Sequence, residues 1–87
     1  MIGKVYKYQL QMTDAQELIL PSKPISAAVQ GSGVVVYALF NEVNTERKYL
    51  FRIAGTGHPI EDAESFEFLA TLQPIPGLFF HVFYKEV

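Results

Sequence analysis

Glycine and proline interrupt this chain at short intervals, and between the interruptions apolar and polar residues alternate. Alternation with a period of two puts successive side chains on opposite faces of an extended strand, whereas a helix needs apolar residues three and four apart. From Lys4 to Gln11 the residues Tyr6, Tyr8 and Leu10, with Met12 one step on, alternate with Val5, Lys7 and Gln9, and the former set is expected to face a core. Thr13 to Gln16 reads as a turn, because Pro21 arrives too soon for a helix, and a short strand follows from Glu17 to Leu20. Pro21-Ser22-Lys23-Pro24 is a loop or an edge, where missing amide donors do no harm.

The sharpest local signal is Gly31-Ser32-Gly33, which joins Ile25–Gln30 to Val34–Val43 as an antiparallel hairpin. Val34 to Phe40 is apolar on both faces, which points to a central strand. Arg47 to Ala54 continues the pattern, with Tyr49, Phe51 and Ile53 opposite Lys48, Leu50 and Arg52. Gly55 to Pro59 stops that strand and Glu61 to Ser65 reads as an exposed acidic loop. Phe66, Phe68, Ala70 and Leu72 alternate with Glu67, Leu69, Thr71 and Gln73, Pro74 to Gly77 makes a turn, and Leu78 to Tyr84 forms a last strand. That strand sets Phe79, His81 and Phe83 against Phe80, Val82 and Tyr84. Six to seven short strands without a helix define a single all-β domain over residues 1–87, a small antiparallel barrel or sandwich.

Composition narrows the chemistry. The 87 residues include no cysteine, which removes disulfides, thiolate nucleophiles and thiolate metal sites. Seven Lys+Arg against nine Asp+Glu give no overall field that would attract a phosphate backbone. The opening MIGKVYKYQL lacks the apolar run of a secretory signal, so a cytoplasmic protein with no membrane partner is expected. Two-sided apolar strands favour a homo-oligomer, with Val35, Tyr37, Phe80, Val82 and Tyr84 as candidate interface residues.

At FRIAGTGHPI, Phe51 to Ile60, the chain resembles a family of short proteins encoded by tailed bacteriophages and prophages, and the resemblance covers most of its length. The matching segments are Lys7-Tyr8-Gln9-Leu10, Thr13-Asp14, Ala38-Leu39, Gly55 to Ile60, Ala70-Thr71-Leu72-Gln73 and the terminal His81-Val82-Phe83. Ala70 stands where the family pattern has glycine, and Phe80 where it has tryptophan. The resemblance implies a phage origin and supplies no mechanism; with it, a non-enzymatic accessory protein that self-associates and binds a host or phage component is the expectation.

Five constellations carry candidate chemistry. Gly55-Thr56-Gly57-His58 follows a strand and has the backbone freedom to turn successive amides toward an anion, with Thr56 and His58 as added donors. The same residues also fit a tight loop that needs two flexible glycines and a proline exit. His58, Glu61, Asp62 and His81 are metal-ligand types, but nothing in their spacing makes three of them converge, so no metal and no cofactor is expected. Glu61, Asp62, Glu64 and Glu67 form a solvated acidic stretch, and Ser22, Ser26, Ser32 and Ser65 lack any triad ordering, so no catalytic residue is assigned and an enzyme is not expected. Strand aromatics beside Lys48 and Arg52 resemble in kind the surface of a single-strand nucleic-acid binder, an Sm-like ring being the relevant assembly.

Overall fold

The computed structural model describes residues 3–40 and 45–87. Its elements are seven strands, β1 Lys4–Leu10, β2 Ala15–Leu20, β3 Pro24–Gln30, β4 Gly33–Phe40, β5 Arg47–Gly55, β6 Glu67–Ile75 and β7 Leu78–Glu86, with a 3₁₀ turn at Ala63–Ser65. The expected extension of β4 to Val43 falls partly on residues outside the described ones. All pairings are antiparallel, and they form two sheets in the orders β1-β4-β3 and β2-β5-β7-β6. The sheets pack face to face as a sandwich, and β3 and β6 run close together along one side. No closed barrel forms among the described residues. Of the two expected architectures the sandwich is the one adopted, and the small barrel on which an Sm-like ring depends is not. No helix among the described residues is long and apolar enough to cross a membrane.

Turn chemistry sets the two local hairpins. Gln30 pairs with Gly33 across Gly31-Ser32, and Gly31 alone has positive φ, at 63°. Glycine with positive φ at the first central position is the signature of a type II′ turn, whose twist matches that of the flanking strands. At the β6–β7 hairpin Ile75 pairs with Leu78 across Pro76-Gly77, and Gly77 has φ 82°. Proline followed by a positive-φ glycine is a type II arrangement, which matches strand twist poorly. The ladder beside it is accordingly irregular between Leu72 and Ile75. Pro74, expected in the turn, is instead a buried member of β6. An edge strand tolerates it because its missing N–H faces no neighbour.

Register decides the core. The facing sides of the sheets bury Leu10, Val34, Val36 and Ala38 against Leu20, Tyr49, Phe51, Ile53, Val82 and Tyr84. Phe51 has no exposed surface and its ring lies 6.1 Å from that of Tyr84, which meets Tyr49 edge-on at 6.2 Å. Tyr6 departs from the expected core. It pairs with Ala38 and shares the inward face, yet it is 44% exposed and stacks on Phe40 at 5.4 Å. Burial thus fades along β1 from Leu10 through Tyr8 to Tyr6. Met12, one step past β1, is likewise exposed.

A second correction concerns β6, whose register shifts between Phe68 and Ala70. A bulge moves the alternation by one residue, so a regular period-two reading cannot place the residues on both sides of it. Ala70 pairs with Val82 and Leu72 with Phe80 on the inward side, while Phe68 pairs with Phe83 and meets it edge-on at 5.6 Å on the outside. Phe66 precedes the strand and lies beneath the Lys85 ammonium, 4.7 Å from its ring centroid.

Candidate functional site

The strand β5 ends at Gly55, and residues 55–58 form a turn closed by the His58 amide donating to the Gly55 carbonyl at 3.0 Å. Gly57 occupies the third turn position with φ 86°, a value that L side chains strongly disfavour. Gly55 is glycine for a different reason. A Cβ there would lie 3.0 Å from Nδ1 and 3.1 Å from Cε1 of His58, so the imidazole ring rests over the bare Cα. The two glycines therefore have separate jobs, one conformational and one steric. Gly57→Ala is expected to lower stability by about 1–2 kcal/mol through αL strain, read as a loss of thermal midpoint without change of fold.

The loop does not form the amide cradle that its sequence allows. The His58 amide is used within the turn, and the Thr56 hydroxyl is turned to His81 on β7, Oγ1 to Nε2 at 2.8 Å. Nδ1 of the same imidazole meets the Thr71 hydroxyl of β6 at 2.9 Å. His81 is thereby held between two threonines from two neighbouring segments, and since hydroxyls both donate and accept, either tautomer is satisfied. This clamp fixes the loop to the outward face of the four-stranded sheet.

On the other side of the turn lies a cleft of about 250 Å³ lined by Asp14, Arg52, Ile53, Ala54, His58 and Pro59. It opens where β2 begins. Ala15 is the first β2 residue, and it pairs with Arg52 of β5 at that end of the strand. Beyond it the Asp14 carbonyl accepts both the Ile53 amide, at 3.2 Å, and Arg52 Nε, at 3.0 Å. A second, more apolar hollow of about 500 Å³ lies between Gly55, Thr56 and His58 and the β6–β7 turn with Leu78, Phe79 and Phe80.

The candidate residues divide accordingly. Gly55, Thr56, Gly57 and His58 stay together as one turn. Lys48 and Arg52 share the outward face of β5, but Lys48 approaches Glu17 at 3.8 Å, and Arg52 belongs to the cleft with His58. Val35 and Tyr37 lie on the outward face of the three-stranded sheet, where Val35 is nevertheless only 1% exposed. Phe80, Val82 and Tyr84 face the other way, into the core of the monomer, so the side of β7 open to a partner is Phe79, His81 and Phe83. The acidic stretch is a structured corner. Asp62 has φ 59°, accepts from the Ser65 hydroxyl at 2.9 Å and lies 3.6 Å from Lys85. The Ser65 hydroxyl, with help from Lys85 against slight desolvation, holds the Asp62 carboxyl below its ordinary value, the opposite of what a general acid needs.

Sequence reasoning missed that Asp14 and Arg52 meet the loop. One signal was available: Arg52 lies on the outward-facing set of β5, three residues before Gly55.

The fold is thus a two-sheet antiparallel sandwich with a polar cleft beside its glycine turn. The model of one family, described as Domain of unknown function (DUF7352), matches residues 1–87, and the chain belongs to that family. No curated protein and no solved structure matches it.

Proposed function

We propose that this protein is a non-enzymatic accessory protein of phage type, a binding module that self-associates through the outward face of β1, β4 and β3. One observation carries this reading. The register places Val5, Leu39, Tyr37, Val35 and Ala28 on that face, with Val5 57% and Leu39 40% exposed, and Lys7 as the charge among them. Interface cores are depleted of charge and enriched in aromatic and aliphatic surface, which is the character of this patch. The outward face of the other sheet is more polar, carrying Lys48, Arg52, His81 and Lys85 beside Phe68 and Phe83, and is left for a partner from the host or the phage.

Val5→Glu tests the reading at a position whose exposure makes the fold insensitive to it. The wild-type chain is expected to show a solution mass that is a multiple of one chain by light scattering. The variant should shift toward a single chain with an unchanged circular dichroism spectrum. A wild-type protein that runs as one chain at ~100 μM, or a variant that keeps the oligomer mass, overturns self-association through this face. A short single-stranded oligonucleotide added to the same samples, if its mass joins the peak in a salt-dependent way, identifies nucleic acid as the partner.

A further inference from the structure

We infer that the cleft beside the glycine turn binds a small organic carboxylate, with Arg52 as the anion-holding group and His58 as a second donor. The inference begins with a cation that has no carboxylate partner among the described residues. Among the described residues Arg47 pairs with Glu86 at 2.8 Å, Lys48 with Glu17 at 3.8 Å and Lys85 with Asp62 at 3.6 Å, so every other cation of the four-stranded sheet has a carboxylate within reach. Arg52 has none. Its Nε is spent on the Asp14 carbonyl at 3.0 Å, which fixes the plane of the guanidinium, and among the described residues its two Nη groups make no hydrogen bond. An arginine anchored at Nε and free at Nη offers a pre-oriented pair of donors, the fork that matches a planar carboxylate.

The rest of the cleft fits that class. The His58 ring lies over the bare Cα of Gly55, and His58 lines the same space as Arg52. Most of the lining is polar, and Pro59 adds apolar surface at its rim while Ile53 and Ala54 are buried behind it. The volume, about 250 Å³, is below the ~300–1,000 Å³ of pockets for drug-sized ligands, which selects a small organic acid. Asp14 lines the cleft as well and repels any anion there, offsetting part of the attraction to Arg52; the greater hydration that a dianion must give up then weighs against phosphate and for a monoanionic carboxylate. The site does not depend on self-association, because every residue in it comes from one chain.

The experiment is an NMR titration of the full chain with propionate, at constant ionic strength, following the Arg52 Nε–Hε resonance and the backbone amides. The expected result is saturable shifts confined to Arg52, Ile53, Ala54 and His58, with inorganic phosphate binding more weakly. Arg52→Gln should lower the affinity at least tenfold, and His58→Ala several-fold. Since Arg52 also anchors the Asp14 turn, His58→Ala serves as the decisive variant if Arg52→Gln fails to fold. Shifts that do not saturate, that spread over all the surface cations, that persist unchanged in a folded variant, or that phosphate produces at lower concentration than propionate would each overturn the assignment.

Discussion

Phe51→Ala is expected to remove about 3–5 kcal/mol of stability, the cost of deleting a fully buried aromatic side chain whose surroundings relax only in part. Phe51 is central in every direction. It pairs with Gln16 on one side and Tyr84 on the other, and it faces the apolar strip of the three-stranded sheet. A domain of this size has roughly 5–15 kcal/mol in all, so the variant should populate unfolded chain at 25 °C or lose most of its thermal margin. Phe51→Leu keeps much of the volume and should cost much less. The measurement is urea denaturation followed by far-UV circular dichroism. A loss below 1 kcal/mol for Phe51→Ala would mean that the two sheets do not close over this ring.

The second large effect is alkaline unfolding. Burial raises the phenols of Tyr8, Tyr49 and Tyr84 above their ordinary value of 10.0, and acidic neighbours act in the same direction, Glu46 on Tyr8, Glu86 on Tyr49 and Glu67 on Tyr84. A phenol with a raised folded-state pKa binds its proton more tightly in the folded protein. Its contribution is fully present below pH 10 and is lost as the pH rises through the folded-state value. Tyr49 and Tyr84 touch in the core, so ionising either one there introduces a charge that the partner ring cannot solvate. The tyrosinate absorbance contributed by Tyr49 and Tyr84 is therefore expected to appear together with the change in circular dichroism above pH 10, in one cooperative step. Tyr49→Phe and Tyr84→Phe together should move that step to higher pH. Tyrosines that titrate near 10.0 while the fold persists would contradict their burial.

Much of the architecture was legible because the physics that sets it is local. The Gly31-Ser32 turn declares its hairpin, and strict alternation in β5 and β7 sorts the residues of each strand into its two faces, although the β7 set expected at an interface, Phe80, Val82 and Tyr84, is the one that faces the core. What was not legible depends on partners distant in sequence. Nothing near Tyr6 reveals that burial runs out at its end of β1, since that depends on how far the opposing sheet reaches. The shift at Leu69 and the inclusion of Pro74 in β6 follow from that strand's position at an edge, which is a property of the assembled sheet. The glycine turn was legible as a turn. The cleft was not, because Asp14 and Arg52 are brought together only by the pairing of β2 with β5.

The strand order also carries a consequence for how the chain acquires its structure. Only β3–β4 and β6–β7 are neighbours in both sequence and space through two-residue connections, so these hairpins can close early at little entropic cost. The strands β1 and β2 come first in sequence, yet each waits for a later one, β4 and β5 respectively. During synthesis both leave the ribosome before anything exists for them to pair with. The Arg52 cleft, which takes Asp14 from the segment joining β1 to β2 and its other residues from β5 and the turn beyond it, can therefore form only after β5 has been made and has paired with β2.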